Sequence, residues 1–393
     1  MLNAPLPPWP SYTPEEVEAV ADVLRSNRVN YWTGELCRRF EHAFADWVGV
    51  RHAVALANGT IALDLALKGL GIGPGHEVVT TPRTFVASAS SILMTGARPV
   101  FADVDADSQN ITADTIRAVL TERTRAVICV HLGGMPCDMD PILALAAERG
   151  LKVIEDCAQA HGARYRGRSV GSIGHVGAWS FCQDKIMTTG GEGGMITTDD
   201  AALWARVWSL KDHGKSWEAM YERPHPPGPR LVHDHVGGNG RMIEMQAAIG
   251  LIQLDRMPAW TARRAALAER LRAAVEPLSL FRVPPVSEGV THAWYRFYAF
   301  VRPERLAEGW TRDRLIEEIN ARGGFCVHGS APEIYLEGAF EGARPAGRLP
   351  TARALGETSL AFLTHPTITD DDMDRVCAAV VEAAGAATNA GTR

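Results

Sequence analysis

Residues 126–161 read AVICVHLGGMPCDMDPILALAAERGLKVIEDCAQAH. The short β-rich run AVICV (126–130) is followed by a helix beginning near Met139, and then by KVIE (152–155), which opens onto a polar loop. A strand, a helix and a second strand within that length form a crossover unit, because the helix carries the chain back and lets the next strand lie parallel to the first. The alternation continues on both sides. AVAL (53–56) precedes a helix starting near Thr60, EVVT (77–80) one near Thr84, and PVFA (99–102) one near Thr112. AWSF (178–181) leads into a Gly-rich loop and then MITT (195–198). Repeated crossover units predict an α/β fold, with a mostly parallel sheet covered by helices.

Outside this block the patterns change. Thr13-Pro14-Glu15-Glu16 is a helix start, with a Thr cap, Pro in the first turn and Glu closing a capping box. Val17, Val20, Ala21 and Leu24 then follow a helical stripe, and a second amphipathic helix carries Leu36, Phe40, Phe44 and Trp47. The stretch 214–240 is rich in Pro, Gly and His and has no period, so it reads as a long functional or disordered loop. An apolar helix from Met242 through Met257 and another from Trp260 set a boundary between a large domain, 1–257, and a smaller C-terminal α+β domain, 258–393. The smaller domain holds the alternating strand YRFYAFV (295–301), a helix capped by Thr311, and a final helix with Met373, Val376, Cys377 and Val380 at helical spacing. The tail after Gly385 is expected to fray.

The 393 residues are 46% hydrophobic and 22% charged, an ordinary globular balance that excludes global disorder. A net charge of −6 argues against a protein that coats nucleic acid or a membrane surface. The cysteines, at 37, 129, 137, 157, 182, 326 and 377, are odd in number and never at CxxC spacing, so neither a disulfide framework nor a zinc ribbon is expected. The first residues, MLNAPLPPWPSYTPEE, lack the basic and apolar regions of a signal peptide. No apolar run approaches the ~20 residues of a membrane span. The cytoplasm is the expected compartment.

Ligands of open parallel sheets bind beyond the carboxyl ends of the strands. Asn58-Gly59-Thr60 follow the first strand, Thr84 and Phe85 the second, and His131 the fourth. Asp156, Gln159 and His161 follow the fifth, Ser180 lies late in the sixth, and Lys185 comes after it. Each has an ordinary use alone: Asn58 or Thr60 capping a helix, Asp156 in a cap or ion pair, Lys185 in solvent. Their common rim changes the reading. A helix start suits a phosphate, a carboxylate suits a protonated ring nitrogen, an amine suits an aldehyde, and an aromatic can pack on a ring face. Pyridoxal 5'-phosphate carries all the matching groups.

The motifs WTGELCRRFEHAFADWVGVRHAVALANGTIALDLAL, GHEVVTTPRTFVASASSI, VIEDCAQAHGARYRGRSVGSIG, SFCQDKIMTTGGEGGMITT and GGNGRMIEMQAAIGLIQLDRM occur in this order over nearly the whole chain. In these the chain resembles the DegT/DnrJ/EryC1/StrS family of aminotransferases, which act mostly on nucleotide-linked keto-sugars and have the fold-type-I pyridoxal-phosphate architecture. The resemblance implies that Lys185 is the Schiff-base lysine, Asp156 the pyridinium partner and Gln159 the side chain beside the ring hydroxyl. It implies that Phe85 stacks on the ring and that Gly59, Thr60 and Ser180 contact the phosphate. Asn239 matches an asparagine that reaches the neighbouring subunit's phosphate, which implies a homodimer with shared active sites. Arg241 either meets an anionic substrate group or forms an ion pair at the helix start. A subgroup of the family carries histidine in place of the lysine and dehydrates sugars, so the lysine here implies transamination. The implied reaction moves an amino group from an amino acid, L-glutamate, to a keto-sugar by a ping-pong cycle. A keto-cyclitol acceptor and a cofactor-binding regulator without turnover remain open.

The remaining histidines point to no metal site. His233 and His235 read as solvated loop residues, His328 as a strand-end polar residue, and His131 and His161 as pocket or core groups. Glu155 and Asp156 are neighbours on a strand and face opposite ways, so they are not a glycosidase pair.

Overall fold

The computed structural model describes residues 5–228 and 230–388. Helices α1 (Pro14–Ser26) and α2 (Leu36–Val48) lead into β1 (His52–Leu56), α3 (Gly59–Gly69), β2 (Glu77–Thr80), α4 (Ala87–Met94), β3 (Arg98–Phe101), α5 (Ala113–Arg117) and β4 (Thr124–Val130). Then come α6 (Met139–Arg149), β5 (Lys152–Asp156), the short β6 (Arg164–Tyr165) and β7 (Arg168–Ser169), β8 (Val176–Ser180) and β9 (Gly194–Thr198). The chain continues through α7 (Ala201–Leu210), α8 (Trp217–Tyr221) and α9 (Glu244–Val275). The C-terminal part holds β10 (Phe281–Arg282), β11 (Val290–Thr291), β12 (Arg296–Val301), α10 (Arg312–Ala321), β13 (Cys326–Val327), α11 (Pro350–Thr358), β14 (Ser359–Leu363) and α12 (Asp370–Ala387).

The large sheet has seven strands in the order β1-β9-β8-β5-β4-β2-β3. Strands β3, β2, β4, β5 and β8 are mutually parallel, as crossover connections require. Strand β9 runs antiparallel to both β1 and β8, because a hairpin-like return from β8 needs no crossover helix. The sheet is buried on both faces. One side packs the aromatic cluster of Phe40, Phe44, Trp179 and Phe181, and the other packs α3 and α7 through Leu63, Leu67, Val207 and Trp208. A four-stranded sheet, β10-β12-β14-β13, forms the C-terminal part with α10 and α12 on it. Leu6, from the opposite end of the chain, enters that second core.

Three features depart from the sequence reading. The two helices expected on either side of Pro258 are one, α9. Proline in a helix interior costs about 3 kcal/mol. Burial at both ends outweighs it: Ala247, Leu254 and Met257 pack with α2, and Leu267, Leu271 and Val275 pack under the C-terminal sheet. The segment 214–240 also contains regular structure. Ser216 caps α8, whose Trp217 and Tyr221 rings pack on each other and on Trp208. Beyond Gly385, α12 continues to Ala387, where Ala307 N–H donates to the Ala387 carbonyl at 2.8 Å. The last residues of the expected tail, 389–393, lie outside the described residues. Among the described residues no helix is long and apolar enough to cross a membrane.

Glu155 and Asp156 face opposite ways from the end of β5. The fully buried Glu155 carboxylate accepts the N–H groups of Gly171, Ile173 and Gly174 at 2.9, 2.7 and 2.7 Å and lies 3.0 Å from His131 Nε2. It thereby latches the β7–β8 turn to the sheet. His131, Glu155 and Cys157 bring their polar atoms within 4.8 Å of one another. The protein itself engages them, since Cys137 N–H donates to His131 Nδ1 at 3.0 Å. Burial alone would raise the Glu155 pKa, but His131 and the backbone donors hold it below the ordinary glutamate range. Its stabilisation is therefore present above the unfolded value and is lost as pH falls through the lower folded value. Glu155→Ala, which strands these donors, should destabilise by about 3–5 kcal/mol in urea unfolding. A loss below about 1 kcal/mol would remove the latch.

Candidate active site

The parallel strands end on one rim, and a cavity of about 570 Å³ opens there. Its wall begins where β1 turns into α3. Asn58 Oδ1 accepts the Ile61 N–H at 2.9 Å and caps the helix, leaving Gly59 and Thr60 to line the cavity. Gly59 is required by contact rather than by conformation. A Cβ there would lie 2.5 Å from Ser180 Cβ, so only glycine lets the start of α3 press against the end of β8.

Asp156, at the end of β5, is almost fully buried in the floor. One carboxylate oxygen accepts Ser88 Oγ at 2.7 Å and the other accepts the Ala158 N–H at 3.1 Å. Thr84 Oγ1 lies 2.9 Å from Ser88 Oγ and extends the chain of hydroxyls. Burial raises the Asp156 pKa, with Ser88 and Ala158 acting against it. Such a group is at ease only with a cation beside it. Gln159 lines the same wall, and its Oε1 accepts the Gly133 N–H at 2.8 Å, which fixes the amide. Phe85 stands at the mouth with 65% of its surface exposed, a large flat apolar face that the described residues leave largely uncovered.

Lys185 follows β8 on the turn in which its N–H donates to the Cys182 carbonyl at 3.0 Å. Its Nζ lies 3.3 Å from Asp184 Oδ1 and 5.3 Å from the centre of the Tyr295 ring. Burial works against the charged amine, but Tyr295 and Asp184 outweigh it and leave the pKa raised. Among the described residues lining the cavity, Lys185 is the only cation beside the carboxylates of Asp156, Asp184 and Glu192. Chemically the arrangement offers an amine for a carbonyl, a buried acid for a ring cation, a helix start for a phosphate and an aromatic face for a flat ring.

The chain matches the DegT/DnrJ/EryC1/StrS aminotransferase family over residues 10–381. It belongs to that family and is an aminotransferase. It is 39% identical over 371 residues to the spore coat polysaccharide biosynthesis protein SpsC of Bacillus subtilis (strain 168), covering 93% of each chain. It is 39% identical over 356 residues to the GDP-perosamine synthase of Caulobacter vibrioides (strain ATCC 19089 / CIP 103742 / CB 15), covering 88% of this chain and 90% of that one. The X-ray structure of the aminotransferase from Psychrobacter cryohalolentis is 55% identical and superposes with a TM-score of 0.96, covering 98% of this chain and all of that one.

The cavity brings together Gly59, Thr60, Phe85, Asp156, Gln159, Ser180 and Lys185, seven of the residues singled out in the sequence. Asn239 and Arg241 stand outside its lining. The exposed Asn239 bridges through its backbone to Asp212, and Arg241 Nη1 pairs with Asp212 Oδ1 at 2.6 Å. The ion pair expected as one option for Arg241 is therefore present, with α7's successor residue Asp212 rather than at the start of α9. His131 and His161 are buried outside the lining, while His233 and His235 are exposed. His328 is exposed beside Asp313. Ser88, Asp184, Glu192 and Tyr295 are site residues that the sequence did not single out. Asp184 was open to discovery by adjacency to Lys185. Tyr295, 111 residues beyond Asp184, offered no local signal.

Proposed function

We propose that this aminotransferase uses pyridoxal 5'-phosphate to move an amino group from L-glutamate to a nucleotide-linked keto-sugar, in a ping-pong cycle, as a cytoplasmic homodimer. The observation that carries this reading is the meeting of a partly buried amine, Lys185, and a buried acid, Asp156, in one cavity that also takes in the start of α3. When bound, the cofactor supplies an aldehyde for primary amines and a protonated ring that draws electrons from the bond being broken. Asp156 holds the proton on the ring nitrogen, with Ser88 and Ala158 fixing its carboxylate. Gly59, Thr60 and Ser180 would hold the phosphate, Phe85 would cover the ring face, and Gln159 would sit beside the ring hydroxyl. Lys185 Nζ would hold the aldehyde carbon and, as a free amine, would take a proton from the amino-acid carbon and return one as the acid. One cavity must accept both substrates in turn, since the amino group stays in it between them.

The acidic lining agrees with completion by a second copy. Phosphate and carboxylate substrates need cations, and Lys185 is the only one among the described residues lining the cavity. The exposed Asn239 would reach the partner's phosphate, while Arg241, mostly buried against Asp212, would meet an anionic substrate group by exchanging that ion pair for it. The likeness to GDP-perosamine synthase supports a nucleotide-linked sugar as acceptor. The domain division proposed is 1–257 and 258–393, with α9 running through it. A panel of UDP-, dTDP- and GDP-keto-sugars and a keto-inositol, with glutamate as donor and mass detection of product, tests the substrate. A nucleotide sugar should give the fastest amination. Preference for keto-inositol would move the reading to cyclitols, and cofactor binding with no product from any member would make the chain a binding protein.

A further inference from the structure

We propose that Asp184, gripped by the hydroxyl of Tyr295, is the counter-ion that orients Lys185 and pairs with its ammonium in the cofactor-free protein; the catalytic meaning of this rests on the role just proposed for Lys185. Neighbouring residues on a strand point to opposite faces. Here the turn after β8 folds Asp184 and Lys185 onto the same side, with Lys185 Nζ 3.3 Å from Asp184 Oδ1. The second carboxylate oxygen, Oδ2, accepts the Tyr295 hydroxyl at 2.5 Å. Tyr295 is buried, and its ring lies beside the lysine amine, with its centre 5.3 Å from Nζ. The phenol therefore contributes a hydrogen bond to the carboxylate and a π-face toward the ammonium. The backbone of the lysine is fixed as well, since the Trp9 indole N–H donates to the Lys185 carbonyl at 2.9 Å. Held at both ends, the side chain has little freedom to leave the cavity wall.

The other groups around the amine do not replace Asp184. Asp156 acts on Lys185 from the cavity floor, but Ser88 and Ala158 already engage its oxygens. Burial pushes His161 down to about 3, so it is neutral and gives the amine no anion. The Cys182 thiol is raised by burial and stays protonated near neutral pH. Arg296 competes for the carboxylate from 4.0 Å, with its guanidinium carbon 4.4 Å from the centre of the Tyr295 ring. Asp184 thus remains ionised between two cations, and burial is outweighed by Lys185, Tyr295 and Arg296 in holding its pKa low. Asp184 and Tyr295 are positioning residues: they act on the reaction through Lys185.

The test uses cofactor-free protein and reads Lys185 itself. Brief acetic anhydride labelling across the alkaline range, with peptide mass spectrometry, gives the fraction of unprotonated amine, and the exposed Lys152 serves as the internal standard. Losing one nearby charge shifts an amine by about one pKa unit. Asp184→Asn should therefore raise Lys185 labelling about tenfold relative to Lys152 below the midpoint and move the midpoint down. Tyr295→Phe should shift it the same way by less, about threefold, and Asp184→Glu should return it toward the parent. Tyr295→Phe removes a single hydroxyl and serves if Asp184→Asn does not fold. A Lys185 profile in Asp184→Asn that overlays the parent profile overturns the proposal. Failure of the cofactor reading would appear separately, as no borohydride-fixed pyridoxyl label at position 185 on loaded protein.

Discussion

Lys185→Ala is expected to lower amino transfer by at least about 10⁴-fold, the upper range for losing a positioned acid–base group, to which loss of the covalent attachment adds. No other amine lines the cavity among the described residues, so nothing there takes over either task. The fold should persist. The lysine contributes an ion pair on a turn rather than apolar packing, and Asp184 keeps Tyr295 and Arg296 as partners. Circular dichroism and urea unfolding should therefore lie within about 1 kcal/mol of the parent. Borohydride treatment of parent protein loaded with cofactor should leave the label on the Lys185 peptide, and the variant should carry none. Multiple turnovers by the alanine protein would defeat the assignment, as would a label on any other lysine.

Asp156→Asn is the second large effect, and its value lies in separating chemistry from stability. Asparagine has the shape of aspartate and still accepts a backbone donor, but it cannot hold a positive ring nitrogen by charge. Amino transfer should fall by about 10²–10⁴-fold, and the cofactor should be lost more readily on dialysis. Stability should move the other way or not at all. A carboxylate whose folded pKa lies above its unfolded value is destabilising once ionised, so in cofactor-free protein at neutral pH Asp156 carries a net burial cost. The neutral amide removes that cost, and the Ser88 hydroxyl can turn toward Thr84 Oγ1, 2.9 Å away. The expected outcome is an inactive, weakly loading protein whose melting temperature in the cofactor-free state equals or exceeds the parent's. A near-parental rate would take Asp156 out of the site. An inactive variant with a strongly lowered melting temperature would make it a structural residue.

Local rules carried well where side-chain pattern and backbone agree. EVVT at 77–80 is β2 to the residue, because a run buried on both faces and bounded by polar residues has one stable conformation. Thr13 and Glu16 form their box, and Thr112 and Thr311 cap the helices that follow them, since caps bond to donors within a few residues. Those rules mislead where distant packing outweighs them. Pro258 signals a break, but the helix through it is buried at both ends against elements far away in the chain. The segment 214–240 has no apolar period, and α8 forms there because Trp217 and Tyr221 find Trp208 on α7.

The candidate site divides in the same way. Residues that follow a parallel strand reach the rim by topology alone, so Gly59, Thr60, Phe85, Asp156, Gln159, Ser180 and Lys185 were legible from their places after apolar runs. The surroundings of those groups were not. The Ser88 hydroxyl under Asp156, the Tyr295 hydroxyl on Asp184 and the indole of Trp9 on the lysine carbonyl come from other parts of the chain. The alternation of strands and helices along the chain is dictated by near neighbours, and the amino-acid order alone determines it; the order of strands in the sheet, which sets β1 beside β9, is a long-range outcome. Which partner each buried polar group meets depends on how separate elements close on one another, and a contact across 111 residues leaves no mark in local pattern, so tertiary structure alone decided it.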